Sequence, residues 1–216
     1  MAIYAESSET QRELVPEGNH IARCYMMVEV GKVMETFEGS DPRLTPKAIL
    51  GWELPMKKKV FSAEKGEEPF TITKEYSLFM SEKANLRKDL ESWRGKVYTE
   101  EQARKVDITA ILGHPCMLNI VHKASKTGKI YAKIASITPM PEGFTCPAQI
   151  TPTLLFSWDS FTPAKLAALP EWIQNKLKES EQYRKLMGEE NPQPQAAQVG
   201  SQEPVGVEEE TGDLPF

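Results

Sequence analysis

The sequence predicts a mainly β chain: a five-stranded Greek-key barrel with one helix inserted between strands three and four, a C-terminal helical extension and a disordered acidic tail. Three observations lead there. Between residues 20 and 138 most segments are short runs of β-branched and aromatic residues bounded by Gly, Pro, Ser and Asp. The apolar spacing changes to the helical period of about 3.6 once, after residue 81, and then returns to strands. Past residue 188 the chain carries seven acidic residues, no Lys or Arg, and no aromatic before Phe216. Such a composition cannot bury enough apolar area to offset its ordering entropy.

Residues 1–19 are polar and are expected to be flexible. Residues 20–34 read as a long first strand, with Cys24, Met26, Val28 and Val30 on one face and Arg23, Tyr25, Met27 and Glu29 on the other. Gly39-Ser40-Asp41-Pro42 marks a loop. A second strand covers 47–54, is stopped at Pro55, and is continued or paired by 57–61; a third covers 71–79. Ser81 can cap a helix over 82–93, with Ala84, Leu86, Leu90 and Trp93 at helical spacing and Gly95 as a left-handed C-cap. Thr99 can cap a second helix from 100 to about 112, whose first turn carries Glu100 and Glu101. Residues 116–123 and 129–138 then read as strands four and five around a turn at 125–128. Strand-strand-strand-helix-strand-strand is the order of a barrel of the OB type. Thr162-Pro163 opens a helix, and Pro170 restarts it over 171–187, with Trp172, Ile173, Leu177 and Met187 on its apolar side. The expected divisions are a flexible N-terminus at 1–19, a barrel domain at 20–161, a helical extension at 162–188 and the acidic tail at 189–216.

Charge and motif content narrow the function classes. The net charge of -5 is concentrated in the tail, and residues 52–133 are locally basic. No apolar run approaches the roughly 18 residues of a membrane span, and the N-terminus lacks the basic start and apolar stretch of a signal peptide. Cys24, Cys116 and Cys146 are scattered and odd in number, which argues against a disulfide framework and for a reducing, cytoplasmic setting. There is no Gly-x-x-x-x-Gly-Lys, Gly-x-Gly-x-x-Gly or His-Glu-x-x-His motif. His114-Pro115-Cys116 lacks a second ligand pair, and Glu67-Glu68 and Glu100-Glu101 are explained by solvation and the helix dipole. The expectation is a non-enzyme with no cofactor and no metal.

Interleaved aromatic and basic residues point to single-stranded nucleic acid, which needs cations along the phosphates and flat faces for its bases. Arg23 with Tyr25, Lys74 with Tyr76 and Tyr131 with Lys133 are i, i+2 pairs on strands one, three and five, so each pair shares a face. Trp52 and the Lys57-Lys58-Lys59 run extend the set. Tyr25, Trp52, Tyr76 and Tyr131 are the candidate stacking platforms. Arg23, Lys57, Lys58, Lys59, Lys74, Lys123 and Lys133 are the candidate phosphate contacts. At the other end, Glu208-Glu209-Glu210-Thr211-Gly212-Asp213-Leu214-Pro215-Phe216 puts a short apolar tip on an acidic tether, the make-up of a peptide ligand. Its partner-binding residues are Asp213, Leu214, Pro215 and Phe216.

That ending resembles the tip of bacterial single-stranded DNA-binding proteins. The stretches 81–95, 112–122 and 131–136 resemble those of bacteriophage-encoded single-stranded DNA-binding proteins. The resemblance covers roughly 52–141 and the last nine residues. It implies an OB-fold that coats single-stranded DNA during phage replication, recombination or repair in the infected host's cytoplasm. It also implies a tail that recruits host or phage replication proteins and competes with DNA for the basic groove. Two features depart from it: the Thr211-Gly212 break in the acidic run, and the helical region after Pro163. The alternative is a protein-interaction module or recombination mediator with little direct DNA binding. Self-association stays open.

Overall fold

The computed structural model describes residues 13–36, 41–62, 64 and 66–188. The tail and its tip, Asp213, Leu214, Pro215 and Phe216, lie outside the described residues. Strands β1 (Gly18–Glu35), β2 (Arg43–Ser62), β3 (Gly66–Ser77), β4 (Pro115–Ala124) and β5 (Ile130–Thr138) form one antiparallel sheet in the order β3-β2-β1-β4-β5. A short β6 (Leu154–Phe156) adds to β1 in parallel over Met26–Val28, where β1 has left β4. The sheet curls into a half-barrel: Phe70 and Ile72 of β3 share one core with Ile134 and Ile137 of β5, although these outer strands are not paired among the described residues.

Helix α1 (Asn85–Arg94) lies between β3 and β4 in the chain and closes the inner side, burying Leu86, Leu90 and Trp93 against the sheet. It starts later than its spacing predicts, because Ala84 and not Ser81 holds the N-cap position; Gly95 ends it at φ 66°, as expected for a left-handed cap. The second helix is shorter than expected. Thr99 forms a full capping box with Gln102, but α2 (Glu100–Ala103) is one turn, and Asp107 then caps a separate 3-10 turn over Ile108–Ile111. β2 runs straight through Pro55, which falls where its register with β3 shifts between Leu54 and Lys58. A bulge there accommodates the missing N–H.

The most consequential departure is in β1. Its register with β2 slips between Cys24 and Met26. One extra residue reverses the side chains beyond it, as far as a second slip between Glu29 and Gly31. Cys24 therefore faces the inner core with Ala22, while Met26, Val28 and Val30 face outward and Met27 turns inward. The outward stripe, with Ile49 of β2, becomes a second core. It is covered by α3 (Pro163–Ala167), α4 (Glu171–Lys178) and the residues around them through Leu166, Leu169, Ile173 and Leu177. Burying each such side chain contributes about 1.5–3 kcal/mol before entropy. Thr162 caps α3 with Pro163 in the first turn, as its sequence predicts. The expected single helix over 171–187 is instead α4 and α5 (Glu181–Leu186), separated at Ser180, whose hydroxyl caps α5. Ile173 and Leu177 are buried, whereas Trp172 and Met187 are exposed.

Polar contacts pin this layer to the sheet. Glu29 accepts from Ser157 Oγ and the Trp158 amide, Trp158 Nε1 donates to Val30 O, and Gln182 Oε1 accepts from the Lys32 amide. Lys176 reaches Glu75 of β3 at 3.2 Å. Glu53, 0% exposed, accepts from the amides of Ile150 and Thr151 at 2.9 and 2.6 Å and holds the Pro-rich 141–153 connection on the sheet. No helix among the described residues is long and apolar enough to cross a membrane.

Candidate nucleic-acid interface

Antiparallel pairing on both sides of β1 sends the β2–β3 and β4–β5 hairpins past the same end of that strand, its start at Gly18. The β2–β3 arm carries Lys57, Lys58 and Lys59, all exposed, together with Met56, Val60 and Phe61. Phe61 is 49% exposed and meets Phe70 edge-on at 5.1 Å, so its ring is braced while part of it faces solvent. On the other arm, Lys123 stands opposite Tyr131, and Val121 opposite Lys133. Tyr131 and Lys133 point away from the core because Ala132 and Ile134, the alternate residues, pack into it. Lys126 and Lys129 occupy the turn and its exit. Among the described residues, Lys57, Lys58, Lys123, Lys126, Lys129 and Lys133 enter no ion pair, so their charge is available to an anion.

Residues 13–17, expected to be loose, form a strap that joins the two arms. Glu13 pairs with Lys59 of β2. The His122 amide donates to Glu17 Oε1 at 2.5 Å, His122 Nε2 donates to Val15 O at 2.8 Å, and Val15 is buried in the inner core. His20 Nε2 closes the strap on Pro16 O at 2.9 Å.

Five sequence-predicted site residues sit elsewhere, for identifiable reasons. Trp52 is 0% exposed in the inner core, with its ring 6.0 Å from that of Trp93, and offers no face to a base. Tyr76 is 3% exposed and donates to Asp89 Oδ2 of α1 at 2.7 Å; Lys74 reaches the same oxygen at 2.5 Å. That pair does share a face, but α1 covers it. Burial first, then the Asp89 carboxylate, push the Tyr76 phenol far above its ordinary range, so it stays a neutral donor. Arg23 is spent on backbone: Nη1 donates to Gly113 O at 2.6 Å and Nη2 to Pro147 O at 2.8 Å. Tyr25 occupies the bulge, half-buried against the outer core and bonded to Thr71; burial pushes its phenol up. Periodicity identifies a shared face but not whether that face is inner or outer, and the inserted helix decides it. Of the predicted set, Lys57, Lys58, Lys59, Lys123, Tyr131 and Lys133 remain as candidates. Phe61, Lys126 and Lys129 join them. Phe61 carried a readable signal, an aromatic two residues past a lysine triplet.

Among the described residues no group of three or more His, Cys, Asp or Glu could hold a metal ion. The three thiols are free, and burial pushes Cys24 up to about 12, which leaves it protonated and unreactive at neutral pH. Comparison of the chain with protein-family models and with curated proteins gives no match.

Proposed function

We propose that this chain binds single-stranded DNA without strong sequence preference, as an OB-type module acting in phage DNA replication, recombination or repair, and that residues 213–216 recruit replication proteins. The observation that carries the reading is the pair of arms at one end of the sheet, each with unpaired lysines and one exposed aromatic ring. Phosphates track along the lysines while bases stack on Phe61 and Tyr131, a combination that tolerates any sequence because every base has a flat face. Double-stranded DNA keeps its bases stacked internally and gains only the phosphate contacts. The strand order around β1, with α1 between β3 and β4, agrees with the OB arrangement and supports the same reading.

The test is a titration of the full chain into labelled oligo-dT and a matched duplex, read by anisotropy across a salt series. Preferential binding to the single strand is expected, with log K falling against log salt by about 0.7 per phosphate contact. A chain deleted at 188 controls for competition by the acidic tail. Equal affinity for the two forms, or none for either, in both chains overturns the reading. It would favour a protein-interaction module, to which the exposed Met56, Val60 and Phe61 of the β2–β3 arm would also be suited.

A further inference from the structure

Along β3, twelve residues and about 40 Å of strand separate the β2–β3 arm from an open cleft at the other end. The cleft holds about 590 Å³ between the chain leaving β3, Leu78 to Ser81, and the single turn of α2 with the residues after it as far as Val106. One buried side chain ties its two walls together. Arg87 of α1, 5% exposed, donates from Nη1 to Met80 O at 3.2 Å on one wall and to Glu100 Oε1 at 2.8 Å on the other. From Nη2 it donates to Tyr98 O at 3.0 Å, where the chain enters α2. The cleft is therefore preformed, since moving its walls apart would break hydrogen bonds to a buried cation.

Its lining divides by chemistry. Leu78, Met80, Ala103 and Val106 are apolar, and the first two pack against the inner core. Phe79, between Leu78 and Met80, is 40% exposed and has no ring partner among the described residues. Arg104 and Lys105 are exposed on the α2 side and enter no ion pair among the described residues. The carboxylates near them in the chain are otherwise placed. Glu100 is taken by Arg87, Glu101 does not line the cleft, and Asp107 Oδ1 accepts from the Thr109 amide and hydroxyl at 2.9 and 2.7 Å. A preformed cleft of this volume is in the range of small-molecule sites. An open ring within an apolar lining takes a flat group, and two adjacent uncommitted cations take a strong anion.

We propose that this cleft is a separate nucleotide site, in which a base lies against Phe79 and the apolar lining while its phosphate meets Arg104 and Lys105. A phosphate monoester carries close to two negative charges and three acceptor oxygens, which engage both cations at once, with the Arg104 guanidinium able to bind two oxygens side by side. The ligand chemistry is that of a nucleoside phosphate, either free or at the end of a strand long enough to reach back to the arms. Phe79, Arg104 and Lys105 share no contact with Lys57, Lys126 or Tyr131, so the site does not rest on the DNA reading.

The experiment follows backbone NMR signals of the full chain during titration with thymidine monophosphate, thymidine, inorganic phosphate, and short and long 5′-phosphorylated oligo-dT. Saturable shifts at Phe79, Ser81, Ala103, Arg104 and Lys105 are expected with the monophosphate or the long oligonucleotide, and weaker ones with thymidine or phosphate alone. Saturation by the monophosphate assigns the ligand as a free nucleotide; saturation by the long oligonucleotide only assigns it as a strand end. Phe79→Leu keeps an apolar side chain but removes the flat face, and should weaken the saturating ligand about tenfold. Arg104→Ala combined with Lys105→Ala, both exposed, should weaken it by a similar factor without moving the urea midpoint. No saturable shift in the cleft with any of these probes overturns the proposal. So does a response to inorganic phosphate equal to that of the monophosphate, or wild-type affinity in Phe79→Leu, since either leaves a simple anion contact. Shifts of the arm residues with the short oligo-dT report the DNA reading separately: arm binding with an empty cleft sinks only the nucleotide site, and monophosphate in the cleft without arm binding sinks only the DNA reading.

Discussion

Replacing Tyr131 by Ala separates the arms from the core. Tyr131 is 42% exposed on the outward side of β5, opposite Lys123 and two residues from Lys133. Its ring contributes little to either core, so the fold should lose less than about 1 kcal/mol, the range of an exposed cross-strand pair. A lost base–aromatic stack should weaken single-strand binding by about 1–3 kcal/mol, roughly 5- to 150-fold in Kd. The salt slope should not move, since the phenol carries no charge to a phosphate. Tyr76→Phe is the matched control. It removes the hydroxyl that donates to Asp89 at 2.7 Å and should cost about 1 kcal/mol of stability while leaving the affinity of the folded protein unchanged. Anisotropy with oligo-dT gives the affinities, and urea unfolding gives the stabilities. Wild-type affinity for Tyr131→Ala, with a loss for Tyr76→Phe at full folding, would refute the assignment of inner and outer faces.

Three other perturbations test separate parts of the structure. Lys57→Ala, Lys58→Ala and Lys59→Ala combined should flatten the log-log salt slope by up to about 2, with little effect on the urea midpoint; an unchanged slope removes the β2–β3 arm from the interface. Glu53→Gln replaces one of two acceptor oxygens with a donor facing the amides of Ile150 and Thr151, and should cost about 1–3 kcal/mol, seen as a lower urea midpoint at constant slope. Glu75 gives a pH dependence. Burial pushes its carboxyl up, but hydrogen bonds from Lys47 and Lys176 outweigh this and hold it below the ordinary glutamate value. A carboxyl lowered by folding stabilises the native state above its unfolded pKa of about 4.3, and that contribution fades as pH falls through the lower folded value. Thermal melts should therefore drop in acid, and Glu75→Gln should make the drop shallower; equal slopes for both chains would show that the contacts to Lys47 and Lys176 are not coupled to folding.

Local chemistry made much of this chain legible before any coordinates. Caps and stops depend on single residues and their immediate neighbours, which is why Gly95, Thr99 and Thr162 act as their sequence predicts. Strand alternation is equally local, and it identified Tyr131 and Lys133 as companions on one side of β5, with Ile134 on the other. The lysine triplet was visible as a charged run. In each case the determining interactions lie within a few residues along the chain.

Only the tertiary structure could decide which side of the sheet is inside. Alternation is symmetric between the faces of a strand, and a helix arriving from between β3 and β4 breaks that symmetry by covering Tyr76 and Lys74. A bulge residue at Tyr25, followed by a second slip between Glu29 and Gly31, sets which faces of β1 look outward, with no mark in the pattern of apolar residues, and so creates the outer core on which Leu166, Leu169, Ile173 and Leu177 dock. Trp52, an attractive stacking residue by type, is in the core because its neighbours across the sheet and on α1 enclose it. Residue type and spacing are properties of the chain, whereas exposure depends on what else arrives in space. Residue type and spacing carried the order of the five main strands and the helix between β3 and β4, and the chemical character of the arms; packing between distant segments split the helices after Glu100 and Glu171, added β6, and set which residues solvent, and a ligand, can reach.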